Sequence, residues 1–164
     1  MNEAAGDPFA RYKLGEVIGA SEWTRITQPM IDQFGALTLD PDPMHINPAW
    51  ARANGPFGGT IAFGFLTVSM LTHFLHNAMG EDSSRPRPHA GFYLNYGFNR
   101  LRLVTPVPAD SRLRGHFTLL ERRQDAKGRY VSSIAVELQV EGADRPALVA
   151  EWLAMWVPAD TKLN

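Results

Sequence analysis

The chain has 164 residues, of which 45% are hydrophobic and 20% charged, and its formal net charge is -1. These values predict one soluble globular domain over residues 1–164, with a loose N-terminal segment over residues 1–20. The near-zero net charge excludes a polyelectrolyte that binds nucleic acid through its overall field. The absence of cysteine excludes disulfides, thiolate metal sites and cysteine nucleophiles, and fits a reducing compartment such as the cytoplasm.

Neither a secretory signal nor a membrane span is expected. The first residues, MNEAAGDPFARYKLGEV, carry acids and no apolar run. The longest apolar stretch, residues 60–75, is interrupted by glycine, threonine and serine, and it is too short to cross a bilayer. We therefore expect no membrane partner.

The first elements in chain order are a short strand and a helix. Residues 21–27 (SEWTRIT) alternate as a strand does, and residues 28–38 (QPMIDQFGALT) have helical spacing of their apolar residues. Pro29 falls in the first turn of that helix, where its missing N–H does no harm.

A long loop is predicted over residues 40–59, because four prolines and three glycines prevent a long regular element there. One short helix is expected within it over residues 47–52, capped by Asn47. A loop of this length in a compact domain is usually functional or disordered, and its apolar residues argue against disorder.

A buried helix is predicted to follow. Residues 61–79 (IAFGFLTVSMLTHFLHNAM) are apolar on almost every side, which is typical of a helix enclosed in the core, and Gly80 is a plausible end signal. The central helix is thus expected over about residues 62–79.

The second half has the period-two pattern of strands. Alternation is clearest over residues 130–140, and strands are also predicted over residues 89–104, 111–123 and 147–157. Residues 125–128 (DAKG) predict a hairpin turn. Sequential strands with tight turns form an antiparallel sheet, so the predicted class is α+β, with the sheet wrapped around one helix.

Cationic residues are concentrated in the second half. Ten of the sixteen Lys and Arg residues lie between Arg85 and Arg129, opposed by three acids. Two interpretations remain open, a solvated face of the sheet or a patch for a phosphorylated ligand. No recognition motif accompanies the arginines, so no nucleic-acid partner is expected.

Four segments carry a family resemblance: LDPDPMHINP, PFGGTIAFGFLTVSML, LNYGFNRLRLVTPVP and PALVAEWLAMW. Over residues 20–157 the chain resembles the MaoC-like dehydratases, or R-specific enoyl-CoA hydratases, and is most similar to their NodN-like branch. The resemblance implies a hot-dog fold, a homodimer whose sheets join edge to edge, and a role in fatty acid metabolism. The implied reaction is reversible hydration of a trans-2-enoyl thioester to the (R)-3-hydroxyacyl thioester.

The resemblance assigns the catalytic acid and histidine to Asp40 and His45, and the oxyanion donor to the backbone N–H at Gly64. The reaction needs these groups, because one water must be held by hydrogen bonds to two side chains that can accept or donate a proton. Negative charge then grows on the thioester oxygen, and a helix N-terminus offers free N–H groups to it. The prolines around Asp42 are expected to stiffen the turn so that both side chains aim at one point. Asp42 itself is expected to stabilise the turn.

Two positions depart from the family pattern. Phe63 stands where histidine usually precedes the glycine, and Leu39 stands where glycine often precedes the acid. Either change is expected to narrow the pocket, shift the substrate, or leave a site that binds without turnover. Candidate substrate-contacting residues are Phe63, Ser69, Thr72 and Asn95. A hydroxyl bonded to its own helix is the commoner role for the serine and the threonine.

Two further functions remain open. The hot-dog fold also hosts thioesterases, and a non-catalytic acyl-thioester-binding protein is suggested by Phe63. The motif D-x-x-P-x-H over residues 40–45 favours hydration. No metal or separate cofactor is expected, coenzyme A being part of the substrate, and the expected partners are an acyl-CoA or acyl-carrier-protein thioester and a second copy of the chain.

Overall fold

The computed structural model describes residues 6–81, 91–159 and 161. It contains a 3₁₀ helix and five α-helices within those residues. They are the 3₁₀ helix Pro8–Arg11, α1 (Gln28–Thr38), α2 (Pro43–Ile46), α3 (Pro48–Asn54), α4 (Gly64–Ser69) and α5 (Leu71–Ala78).

Six strands form one antiparallel sheet, in the order β1-β4-β5-β6-β3, with β2 pairing beside β1 on β4. They are β1 (Val17–Ala20), β2 (Thr24–Arg25), β3 (Gly91–Leu103), β4 (Arg112–Gln124), β5 (Tyr130–Val140) and β6 (Leu148–Pro158). The long strand β3 thus lies at one edge of the sheet. The four long strands agree with the predicted positions to within about a residue, apart from residues 89 and 90, which lie outside the described part of the chain.

The core lies between the inner face of the sheet and α4 and α5. Phe74 and Leu71 of α5 are almost fully buried against inward residues of β4 and β5 such as Phe117 and Ile134. Gly115 permits close packing, since a Cβ there would lie 2.9 Å from the Cβ of Phe74. The α+β class and the sheet wrapped on a helix are confirmed.

The central helix is interrupted, although the sequence predicts one continuous helix. α4 ends at Ser69 and α5 begins at Leu71, with Met70 between them. The amide of Met70 still donates to Leu66 O and its carbonyl accepts from Phe74 N, both at 3.1 Å. The two helices therefore form one almost continuous axis.

The prediction of a loose segment over residues 1–20 is wrong for the part that the structure describes. Residues 8–11 form the 3₁₀ helix, which buries Phe9, and β1 pairs with β4. The short strand predicted over residues 21–27 shrinks to β2. Within the described ranges, no helix combines the length and apolar character that a membrane span requires.

Candidate active site

The loop that carries Asp40 begins where α1 ends. Leu39 caps the helix in the left-handed conformation, with φ 58° and ψ 32°, and its side chain is 88% exposed. The amide of Asp40 donates to Gly35 O at 2.9 Å, so the backbone folds back on the last turn of the helix. A left-handed residue at this position is what glycine usually supplies, and leucine adopts it here at a steric cost.

The histidine lies on a helix of one turn, which the sequence did not predict. Asp42 caps α2 by accepting a hydrogen bond from Met44 N at 2.8 Å, and Pro43 occupies the first turn. The predicted turn-stabilising role of Asp42 is confirmed. The carboxylate of Asp40 accepts from Asp42 N at 3.3 Å, so the acid and the cap belong to one hydrogen-bonded turn.

The imidazole of His45 is fixed on two sides. Its Nδ1 lies 2.8 Å from Ile61 O, and because a carbonyl only accepts, Nδ1 carries the proton. The ring of Phe63 packs against it, with centroids 3.9 Å apart and planes inclined by 33°. In neutral His45 the lone pair is therefore on Nε2, which has no hydrogen-bond partner among the described residues.

Gln28 supports the backbone of this histidine and Thr60 supports Gln28, and neither residue was predicted from the sequence. Gln28 at the start of α1 donates to His45 O at 2.8 Å, and its Oε1 accepts from the hydroxyl of Thr60. Since residues 28, 45 and 60 are far apart in the chain, only the tertiary fold brings them together.

Gly35 allows the Asp40 loop, α2 and Phe63 to pack together, and its role was not predicted from the sequence. A Cβ at this buried position would lie 2.9 Å from Asp40 O, 3.1 Å from the Ile46 side chain and 3.1 Å from Cζ of Phe63. The loop of the acid, the helix of the histidine and the residue before Gly64 thus converge on one glycine.

The next helix in the chain, α4, starts at Gly64 and is capped differently from the three α-helices before it. Side chains cap α1, α2 and α3, whereas the N-cap of α4, Phe63, makes no side-chain hydrogen bond. The first N–H groups of a helix have no partner within the helix, so this turn presents free donors and the positive end of the dipole. A Cβ on Gly64 would lie 2.3 Å from Cδ1 of Leu103 on β3.

The remaining predicted residues lie further along the helices. Ser69, Thr72 and Asn95 line one cavity together, between α4, α5 and the edge strand β3. The hydroxyl of Ser69 donates to Phe65 O at 2.8 Å, which is the helix-bonded role that is common for serine.

Asn99 faces a different environment. Its amide donates to Glu151 Oε1 at 2.5 Å, and Ser133 donates to the same oxygen. These hydrogen bonds, the one from Asn99 first, hold the pKa of Glu151 below its usual value. Asn99 therefore has a structural role in joining β3 to β6.

Three described arginines of the second half form separate ion pairs. Arg112 binds Glu141 at 2.9 Å, Arg122 binds Asp7 at 2.7 Å and Arg129 binds Asp125 at 2.6 Å. The hydrogen bond and charge of Arg129 hold the pKa of Asp125 down. These contacts favour the solvated-face interpretation over one phosphate patch, and Arg85 and Arg87 lie outside the described residues.

An antiparallel sheet wrapped around a central helix defines a hot-dog protein. A family model described as MaoC like domain matches residues 10–142, and the chain belongs to this family.

Three known proteins show how the chain relates to that family. It is 38% identical over 143 residues to nodulation protein N of Rhizobium leguminosarum bv. viciae, covering 87% of this chain and 86% of the relative. It is 34% identical over 143 residues to 3-hydroxyacyl-thioester dehydratase Z of Mycobacterium tuberculosis, covering 87% and 90%. The solved (R)-hydratase from A. caviae superposes with a TM-score of 0.67 at 19% identity, covering 88% and 96%.

Proposed function

We propose that the protein catalyses the reversible hydration of a trans-2-enoyl thioester, most readily a coenzyme A thioester, to the (R)-3-hydroxyacyl thioester. The observation that carries this proposal is the state of His45. Its Nδ1 donates to Ile61 O, which leaves Nε2 as a proton acceptor on the loop that also carries Asp40.

The two side chains would act together on one water, one holding it and the other carrying its proton. One water is held between the Asp40 carboxylate and His45 Nε2. As one of them removes its proton, the water oxygen bonds to C3 of the substrate and the alkene electrons move to the thioester oxygen. The same group then delivers that proton to C2, which restores the carbonyl and returns both side chains to their starting protonation states.

The start of α4 would stabilise the intermediate charge. The uncapped N–H groups at the start of α4 would donate hydrogen bonds to the thioester oxygen. Because Gly64 has no side chain, that oxygen can approach them closely. Losing one such donor typically costs about 3–4 kcal/mol of barrier.

A homodimer is part of this proposal. The outer edge of β3 pairs with no other described strand, and it carries partly exposed apolar side chains such as Leu94, Tyr96 and Phe98. Phe65, next to Gly64, is 75% exposed. A second copy that adds its own β3 to this edge would cover both features. Light scattering on a size-exclusion column should give a dimer, and Tyr96→Arg should weaken it while Leu14→Arg should not.

Crotonyl-CoA hydration, followed by loss of enoyl absorbance, tests the activity. We expect turnover by the parent chain and losses of about 10²–10⁴-fold in Asp40→Asn and His45→Ala. Asp144→Asn and His73→Ala remove the same groups elsewhere on the surface and should keep full activity. Full activity in both dyad variants would refute the proposed site. Release of free thiol without hydration would instead indicate a thioesterase.

A further inference from the structure

A groove runs between the central helices and the edge strand β3. It consists of two adjoining cavities, a wider one of about 320 Å³ and a narrow one of about 30 Å³. Thr72, Asn95 and Trp152 line both of them, so the two cavities meet at these residues.

The helix residues that line the groove continue a stripe that starts at Gly64, and this stripe becomes more buried towards the far end. Gly64, Val68, Thr72, Leu75 and Met79 are spaced by three or four residues, so they follow one side of the helices. The first three are half-buried, whereas Leu75 and Met79 are buried. The stripe therefore leads from the start of α4 into the interior.

The edge strand follows the same path in the opposite direction. Leu103 adjoins Gly64, Gly97 and Phe98 line the first cavity, and Tyr93 lines the second. A chain that enters beside Gly64 would thus meet mostly apolar side chains down to Tyr93.

Phe9 closes the far end of the groove. It belongs to the N-terminal 3₁₀ helix, is only 1% exposed, and lines the second cavity with Met79. Its ring packs edge-on against Tyr93, with centroids 5.2 Å apart. The N-terminal segment that carries Phe9 contributes no other residue to the candidate site.

A buried ion pair holds this segment in place. The carboxylate of Asp7 accepts from Arg122 Nε at 2.8 Å, from Phe9 N at 3.0 Å and from the Tyr93 hydroxyl at 2.5 Å. Arg11 donates to Met79 O at 3.0 Å on the other side. Phe9 is therefore fixed at both flanks rather than free to swing out.

We propose that Phe9 is a specificity-determining residue that ends the acyl groove and sets the longest acyl chain the protein accepts. The inference rests on the proposed function, because it takes an acyl thioester as the ligand. A substrate whose thioester lies at Gly64 extends its chain past Thr72 until it meets the Phe9 ring. Shorter chains fit, and longer chains must expel Phe9 or bend back into solvent.

Binding of saturated acyl-CoAs, from butyryl-CoA to palmitoyl-CoA, tests this by isothermal titration calorimetry. These ligands cannot be hydrated, so the readout does not need turnover. In the parent chain the affinity should rise by about fourfold for each added methylene that is buried, up to a limiting acyl length beyond which it rises no further. This limiting length is the break in the affinity series. Phe9→Leu should move that break to longer chains, and Phe9→Ala should move it further.

Two variants control the experiment. Phe57→Ala removes an exposed aromatic ring away from the groove and should leave the break in place. Ala154→Val adds bulk inside the second cavity and should move the break to shorter chains. Because Phe9→Ala is a core truncation, Phe9→Leu and Ala154→Val keep the test valid if that variant fails to fold.

The outcomes separate this inference from the proposed reaction. Crotonyl-CoA turnover with an unmoved break in the Phe9 variants would overturn the inference and leave the reaction standing. A shifted break without turnover would support the inference and reject hydration. Affinity that does not depend on acyl length in the parent would overturn the inference outright.

Discussion

The imidazole of His45 stacks on the phenyl ring of Phe63, with 3.9 Å between their centroids. Phe63 is 5% exposed and also packs against Phe34, at 5.4 Å. The residue that departs from the family pattern is thus a packing partner of the histidine. It cannot make a hydrogen bond, but it fixes the plane of the ring whose Nδ1 donates to Ile61 O.

Replacing Phe63 should therefore impair turnover through His45. We expect Phe63→Leu to lower crotonyl-CoA turnover by up to about 10²-fold, because a shift of about 1 Å in a catalytic group has that effect. Phe63→His keeps a flat ring and should lose much less. Phe34→Leu, which truncates the neighbouring ring without touching His45, is the matched control. Equal losses in Phe34→Leu and Phe63→Leu would show that packing in general, not the histidine contact, is responsible.

Leu39→Gly should stabilise the protein. Leucine at φ 58° suffers a clash that glycine avoids, worth roughly 1–2 kcal/mol, and the greater freedom of glycine in the unfolded chain offsets part of it. A gain of about 0.5–1 kcal/mol in the free energy of unfolding should appear in urea titrations. Leu37→Gly changes an equally exposed leucine inside α1 and should lose about 1 kcal/mol. If the free energy of unfolding rose in both variants, or fell in both, the strain at Leu39 would not be the cause.

Gly64→Ala should reduce activity for a reason separate from packing. The new methyl group would lie 2.3 Å from Cδ1 of Leu103, and it would also occupy the approach to the first N–H groups of α4. We expect about a 10²-fold loss of kcat/KM. Adding Leu103→Ala should restore the melting temperature but not the activity, with Leu103→Ala alone as control. If activity returns together with stability, Gly64 is needed only for packing.

Tyr93 should make the fold sensitive to alkaline pH. Burial above all, then the charge of Asp7, raises the pKa of this phenol far above the ordinary value of about 10. The folded protein keeps the proton while the unfolded chain loses it, so the stabilisation is complete below about pH 10 and falls above it. The free energy of unfolding should decline by up to about 1.4 kcal/mol per pH unit there.

Urea titrations across this pH range measure that decline. Tyr93→Phe lacks the ionisable group and should lose this part of the slope. Tyr96→Phe, a change on the exposed surface of the same strand, should keep it. An unchanged slope in Tyr93→Phe would mean that the buried phenol does not contribute.

Local patterns predicted most of the fold. Helix α1 has the predicted bounds, and the hairpin turn at residues 125–128 is present, with Gly128 at φ 77°. Asn47 caps α3 by accepting from Trp50 N at 3.0 Å. These features depend on the order of neighbouring residues, through apolar periodicity, proline position and capping side chains. The short helix α2 escaped prediction, because the prolines that prevent a long helix are compatible with one turn.

The candidate site was predictable only in part. The loop of Asp40 and His45 and the glycine that starts the helix were evident from a spaced motif and a family resemblance. The contacts that support them were not, because Gln28 meets His45, and Gly35 meets Phe63, across long stretches of chain. Such contacts leave no periodic signal in the sequence.

The sequence by itself determined the α+β class and the long antiparallel strands, since both follow from the local alternation of apolar and polar residues. A spaced motif and a family resemblance indicated the segment that carries Asp40 and His45. Only the tertiary structure decided which ring nitrogen of His45 is tied to the backbone and that Phe63 lies against it. It also decided that Phe9 closes the groove through the pairing of Asp7 with Arg122. These relationships join residues far apart in the chain, and packing around one core brings them into contact.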